Sequence, residues 1–150
     1  MLQPLSPQPS TPLLKQVARF AERRQDVLAG NIANIDTPGY RMRDLPTSEF
    51  RQALARAVAQ SKSLTSEAER LQPLGFPGTV PPALDDLFPE SLFQARTPLE
   101  QPGITFQDGN NRSIEHQFLE MTKNSLWQHF VLELLRGQYD QLQAVIAERP

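Results

Sequence analysis

The chain of 150 residues contains no cysteine. Disulfides and thiolate metal sites are therefore excluded, and the redox compartment leaves no mark on it. Charge of one sign is missing as well. Fifteen Lys and Arg stand against 17 Asp and Glu, a formal net charge of −2. That balance argues against a nucleic-acid surface or a polybasic membrane patch. No apolar run approaches the roughly 20 residues that a membrane-spanning helix needs, so no membrane insertion is expected. The opening MLQPLSPQPSTP has no charged stretch followed by an apolar core, so no secretory signal peptide is expected. Export by another route would leave no such trace.

Residues that could carry chemistry are also scarce. His116 and His129 are thirteen apart, which is no metal-ligand spacing. Asp85 and Asp86 are adjacent carboxylates without a second ligand cluster, and a solvated turn explains them. DGNNRSIE at 108–115 lacks the alternating oxygen ligands of a calcium loop, so a turn followed by a helix start is favoured. There is no phosphate-cradling glycine loop and no nucleophile motif. No catalytic residue, cofactor or metal is expected, and an enzyme is the weakest class of function.

What the chain does have is two amphipathic stretches and abundant proline. Hydrophobic residues make up 39% of it, enough for a modest core in one domain. Seven of its 14 prolines lie between Pro73 and Pro102. Residues 1–11 are rich in Pro, Ser and Gln and read as a disordered tail. Thr11 followed by Pro12 is a helix start, with a hydroxyl N-cap and a proline at the first helical position. Over 12–35 apolar residues including Leu14, Val17, Phe20 and Leu28 recur at three- and four-residue steps, which predicts an amphipathic helix. In region 36–71, Ser48 caps a short helix that carries Phe50, Leu54 and Val58 and fades by Ser61–Ser63; residues 67–70 form at most another turn. Region 72–112 has too much proline for long helices or central strands. It reads as an extended arm awaiting a surface or as a linker, with a short helix in LDDLFPESLFQA.

Ser113 then opens a helix over 113–148, roughly 50 Å long at about 1.5 Å per residue. Ile114, Phe118, Met121, Ser125, Gln128, Leu132, Leu135, Tyr139, Leu142 and Ile146 alternate steps of four and three, a heptad seam. Leu119, Leu126, Trp127, Phe130, Val131, Leu134 and Val145 widen its apolar surface beyond what one partner helix covers. The expected fold is mainly α: long N- and C-terminal helices paired as a coiled coil, a short helix, and an irregular or extended proline-rich middle. Unmatched apolar surface on such a pair points to partners.

Between the first helix and the middle lies NIANIDTPGY, residues 31–40. Its two asparagines could be ligands, caps or packing groups. The simplest reading makes Asn34 a helix C-cap, since asparagine tolerates left-handed angles. Asn31 is then a polar seam position that fixes register. Thr37-Pro38-Gly39-Tyr40 fits a type II turn, with glycine supplying the positive φ and Tyr40 as an anchor.

These residues carry a resemblance. LAGNIANIDTPGYRMRDL (28–45) resembles the N-terminal signature of the bacterial flagellar axial proteins, the rod, hook and hook-associated subunits. Arg41, Arg43 and Asp44 after the turn, and FQDGNNRSIEHQFLEMTKN (106–124), are similar to the proximal rod branch; Met42 and Pro46 depart from its usual pattern. The resemblance covers about 13–58 and 106–147. It implies a structural subunit of the basal-body rod, made in the cytoplasm, exported by the flagellar type III apparatus without a cleaved signal, and polymerised through its terminal helices in a rod that spans the periplasm. Its implied partners are other rod and basal-body proteins and copies of itself. The implied assembly seam comprises Leu14, Val17, Phe20, Leu28, Ile114, Phe118, Met121, Leu132, Leu135, Tyr139, Leu142 and Ile146. Phe50 and Leu54 resemble the Phe-x-x-x-hydrophobic element by which such subunits engage the export gate, and equally suit an ordinary helix core. The rival class is a cytosolic helical adaptor or export chaperone that docks a partner through its long C-terminal helix.

Overall fold

The computed structural model describes residues 10–71, 84–97 and 114–147. Within them the chain forms α1 (Ser10–Ala33), α2 (Thr47–Leu71), a single helical turn α3 (Leu84–Leu87), a 3₁₀ turn (Glu90–Phe93) and α4 (Ile114–Ala147). The mainly helical expectation holds. The tail 1–9, most of the proline-rich middle and the Asp108–Asn111 turn lie outside the described residues.

α1 and α4 pack along their lengths, and side-chain bonds show the pairing to be antiparallel. Thr11 of α1 donates to Gln138 of α4, Gln25 accepts from Asn124, and Asn31 donates to Gln117. Fourteen residues forward along α1, from 11 to 25, match fourteen back along α4, from 138 to 124. α1 turns Val17, Ala21, Leu28 and Asn31 inward, steps of seven-residue sums that suit a heptad seam.

The second layer is built around phenylalanine. Phe20 on α1 stacks on Phe50 of α2 with ring centroids 3.9 Å apart. Phe88 and Phe93, from the α3 region and the 3₁₀ turn, close around Phe50 at 5.5 and 6.2 Å. Leu45, Ala53, Ala57 and Leu92 complete this core, which continues through Val17 to Val131 and Leu135 of α4. Small residues at 53 and 57, one turn apart, let α2 approach this cluster closely. Asp44 and Arg96 exchange backbone bonds of 3.0 and 2.9 Å, which ties the segment after α1 to the segment after the 3₁₀ turn.

Several local expectations need correction. Thr11 lies inside α1 and its hydroxyl reaches Gln138 at 2.6 Å, so it bridges helices and does not cap one. α2 does not fade at Ser61–Ser63 or restart at 67; it is continuous to Leu71. No glycine or proline interrupts it, and Ser63 bonds back to the carbonyl of Gln60 at 2.8 Å, a use of the hydroxyl that helices tolerate. Nor does Ser48 cap it. The carbonyl of Pro46 accepts the first helical bond, from the N–H of Phe50 at 3.0 Å, and proline at that place loses no needed donor.

Phe50 is only 4% exposed and touches three other rings. Phe50→Ala should cost about 3–5 kcal/mol of unfolding free energy, measured by urea denaturation. Phe118→Ala, half-exposed on α4, should change it far less.

Candidate functional site

Asn31 sits where α1, the turn and α4 meet. It is 1% exposed, and a buried amide must find partners for two donors and two acceptor positions. It finds four. Its Nδ2 donates to the Arg43 carbonyl at 2.7 Å and to Gln117 Oε1 at 3.0 Å. Its Oδ1 accepts from the Arg43 N–H at 3.0 Å and from the Tyr40 hydroxyl at 3.2 Å. One side chain therefore fixes the chain after the turn, the tyrosine in the turn, and the neighbouring helix.

Asn34 closes α1. Its Nδ2 donates to the Gly30 carbonyl at 2.8 Å, and its own N–H to the same oxygen at 3.2 Å. No non-glycine described residue has positive φ, so the left-handed angle expected of Asn34 is not used. The side-chain amide adds a second donor to the Gly30 carbonyl at the last turn of α1. Gly39 has φ +72° and the Tyr40 N–H bonds the Thr37 carbonyl at 3.2 Å, as a type II turn requires.

Beside this joint lies an ion cluster that the sequence reading missed. Arg24 makes two bonds to the Asp44 carboxylate, 2.9 and 2.7 Å, and a third to Glu120 at 2.9 Å. Lys123 bonds the other Glu120 oxygen at 2.9 Å. The cluster links α1, the segment after the turn, and α4. Burial acts to lower the pKa of Arg24, but the hydrogen bonds and charges of Asp44 and Glu120 outweigh it and raise it. Burial likewise acts to raise that of Glu120, and the bonds from Lys123 and Arg24 outweigh it, holding the carboxyl below its ordinary value of 4.5. A pairing about two and a half helical turns before the end of α1, with a residue beyond the turn, leaves no periodic signal in the sequence.

The inward face of α4 differs from the seam read from its apolar residues. Gln117, Met121, Asn124, Gln128, Val131, Leu135 and Gln138 face α1 or are part-buried beside it, again in steps of four and three. Asn124 donates to the Ala21 carbonyl and to Gln25, both at 2.8 Å. Of the expected seam, Val17, Phe20, Leu28 and Leu135 are buried, and Leu14 and Met121 are half-buried. Phe20 is spent on the aromatic core. Ile114, Phe118, Leu132, Tyr139, Leu142 and Ile146 are exposed, as are Leu119, Leu126, Trp127, Phe130 and Leu134. The signal for the true inward face was its amides, which hydropathy passes over. Phe50 is buried and Leu54 half-buried against the core.

Among the described residues no group of three His, Cys, Asp or Glu is placed to hold a metal, and His116 and His129 lie on the exposed side of α4. No helix among them is long and apolar enough to cross a membrane.

A buried amide joint, an antiparallel pair of terminal helices and a defined exit turn describe a packing element. Residues 21–41 match the family described as flagella basal body rod protein, which sets the class. The chain is 33% identical over 137 residues to flagellar basal body rod protein FlgB of Yersinia ruckeri, covering 89% of this chain and 90% of the relative. It is 30% identical over 125 residues to FlgB of Escherichia coli K12, covering 83% of each, and 27% over 137 residues to FlgB of Aquifex aeolicus, covering 91% and 92%. The chain belongs to the FlgB family of flagellar rod proteins.

Two outcomes follow from the geometry. Asn31→Leu leaves buried partners unsatisfied and should lower stability by about 1–3 kcal/mol, read by urea denaturation, with Asn34→Leu costing less because its partners lie nearer solvent. Glu120 binds protons more weakly in the folded chain than in the unfolded one. Its stabilisation is therefore complete above the ordinary value and lost as pH falls through the depressed one. Glu120→Gln should flatten the fall in thermal midpoint below about pH 4.5, while leaving the slope above pH 6 unchanged.

Proposed function

We propose that the chain is a structural subunit of the flagellar basal-body rod, a segment of its proximal part, which polymerises through α1 and α4. Family membership supports the role. The observation that carries the mechanism is the inversion of α4: it spends a largely polar stripe on α1 and leaves apolar rows exposed on either side. Along one flank Phe118, Leu132, Tyr139 and Ile146 recur at multiples of seven; along the other stand Trp127, Phe130 and Leu134. Exposed apolar rows of this extent point to surfaces that partners cover. Neighbouring subunits would supply that cover, and the fixed exit at Thr37–Tyr40 would make each copy present its remaining residues in the same way.

On this reading the partners are other rod and basal-body proteins and copies of this chain. The site of action is the basal body, with the chain made in the cytoplasm and exported by the type III apparatus without a cleaved signal. Phe50 and Leu54 would serve the export gate only in the unfolded chain, because folding buries Phe50 under three rings. The coiled-coil description suits the α1–α4 pair, whose facing residues keep heptad steps. No observation favours the adaptor reading, and the relatives are named as flagellar rod proteins.

Leu132 and Leu142 are both 47% exposed, so they test assembly apart from folding. Leu132→Asp with Leu142→Asp should leave a helical, soluble chain that no longer complements a strain lacking the gene in swimming agar. Full motility in that variant would contradict assembly through α4.

A further inference from the structure

Residues 84–97 pack against α1 and α2 as a strap. Phe88, Leu92 and Phe93 turn inward from it and are buried. They fill a socket walled by Phe20 of α1 and by Leu45, Phe50, Ala53 and Ala57 at and before α2. Arg19 lies 4.3 Å over the Phe93 ring and bonds Glu90 at 2.7 Å, and Arg96 reaches Glu49 at 3.0 Å. Both ion pairs join exposed side chains, where such pairs contribute little. The backbone bridge of Asp44 with Arg96 adds two hydrogen bonds.

The socket has its own supports. The stack of Phe20 on Phe50, the bonds of Asn31 to Arg43 and those of Arg24 to Asp44 tie α1 to the start of α2, and all of them lie outside 84–97. The strap, by contrast, has little hold on itself. Its two helical pieces are four residues each, too short to persist alone in water. Its place comes from the three apolar side chains seated in the socket. A short segment held in this way can open as a local unit while the helix pair stays intact. From this separation we infer that the socket is a peptide-binding site and that residues 84–97 are its tethered ligand, released without unfolding of α1 and α4. The contacts define the class of ligand. It is a short peptide with Phe-x-x-x-Leu-Phe spacing, as in Phe88, Leu92 and Phe93. An acid two places after the first Phe meets Arg19, as Glu90 does, and a base three places after the second meets Glu49, as Arg96 does. These opposite charges fix the direction in which the ligand lies. The tether gives the strap a local concentration of about millimolar, so a free peptide competes poorly until the strap is disabled. The strap thereby keeps Phe20 and Phe50 covered against other apolar segments. The site is separate from the α4 flanks and is independent of the rod-subunit role.

A synthetic, fluorescently labelled peptide of residues 84–97, LDDLFPESLFQART, tests it on the full chain. The chain with Phe88→Ala and Phe93→Ala should stay helical by circular dichroism and bind one peptide, read by anisotropy. The wild type, whose socket is filled, should bind it more weakly by about tenfold or more. A peptide carrying the same two alanines should not bind either chain. Binding should also restore hydrogen-exchange protection to the Asp44 amide of the variant, because the Arg96 carbonyl of the peptide replaces the one that bonds it in the wild type. A helical variant that ignores the peptide, a wild type that binds it equally well, or binding that leaves the Asp44 amide unprotected overturns the site. Hydrogen exchange on the wild type needs no variant and decides the matter if the variant does not fold. The Leu92 and Arg96 amides should share a protection factor lower than that of Leu28 in α1 by about tenfold or more. Equal protection would mean that the strap opens only when the whole chain unfolds, and would overturn the tethered ligand.

Discussion

The fold turns on the amide of Asn31. It is almost wholly removed from water, and its four hydrogen bonds run to three separate pieces of chain. A buried polar group without partners costs about 1–3 kcal/mol, so the arrangement is close to all-or-none. If α4 slid by one turn, Gln117 would leave Asn31. If the turn opened, Tyr40 and Arg43 would leave it. The exit from α1 and the register of α4 are thereby set together, by one residue that no apolar side chain can replace.

The remaining amides extend the same logic along the pair. Thr11 with Gln138 marks one end, Gln25 with Asn124 the middle, and Asn31 with Gln117 the other end. Apolar seams tolerate sliding because one methyl packs much like another; paired amides do not, since a mismatch strands a donor or acceptor. The Arg24 cluster adds a charged clamp on the same three pieces. What the polar seam does not use is most of the apolar surface of α4. In an isolated domain that would be an aggregation hazard. On the rod-subunit proposal, neighbours that cover those flanks would make them the assembly surface, held at a defined register by the amides behind it.

Much of this was legible in the sequence, and unevenly. The two terminal helices and the turn at 37–40 were readable because local rules govern them: periodicity, proline and glycine. The excess of apolar surface on the last helix was readable too, as composition. Which face of that helix turns inward was not. Hydropathy weighted Ile114, Phe118 and Leu132, whereas burial chose Gln117, Asn124 and Val131, and the amides at 117 and 124 can be buried because α1 supplies their hydrogen-bond partners. The length of α2 was underestimated because the serines at 61 and 63 were read as breakers. Phe50 was readable as a residue of a helix core, and it is buried; that it occupies the centre of an aromatic cluster is a long-range event that no window of sequence contains. Arg24 with Asp44 was invisible for the same reason.

The claim that buried amides set the register of the helix pair is tested most directly by a double-mutant cycle between Asn31 and Gln117. Unfolding free energies of the wild type, Asn31→Leu, Gln117→Leu and the double variant would be compared. Removing either partner strands the other, so the account predicts strong non-additivity, with a coupling of about 1 kcal/mol or more and a double variant less damaged than the sum of the singles. Additivity within about 0.3–0.5 kcal/mol would mean that the two amides act independently, and the register would have to be set by packing alone.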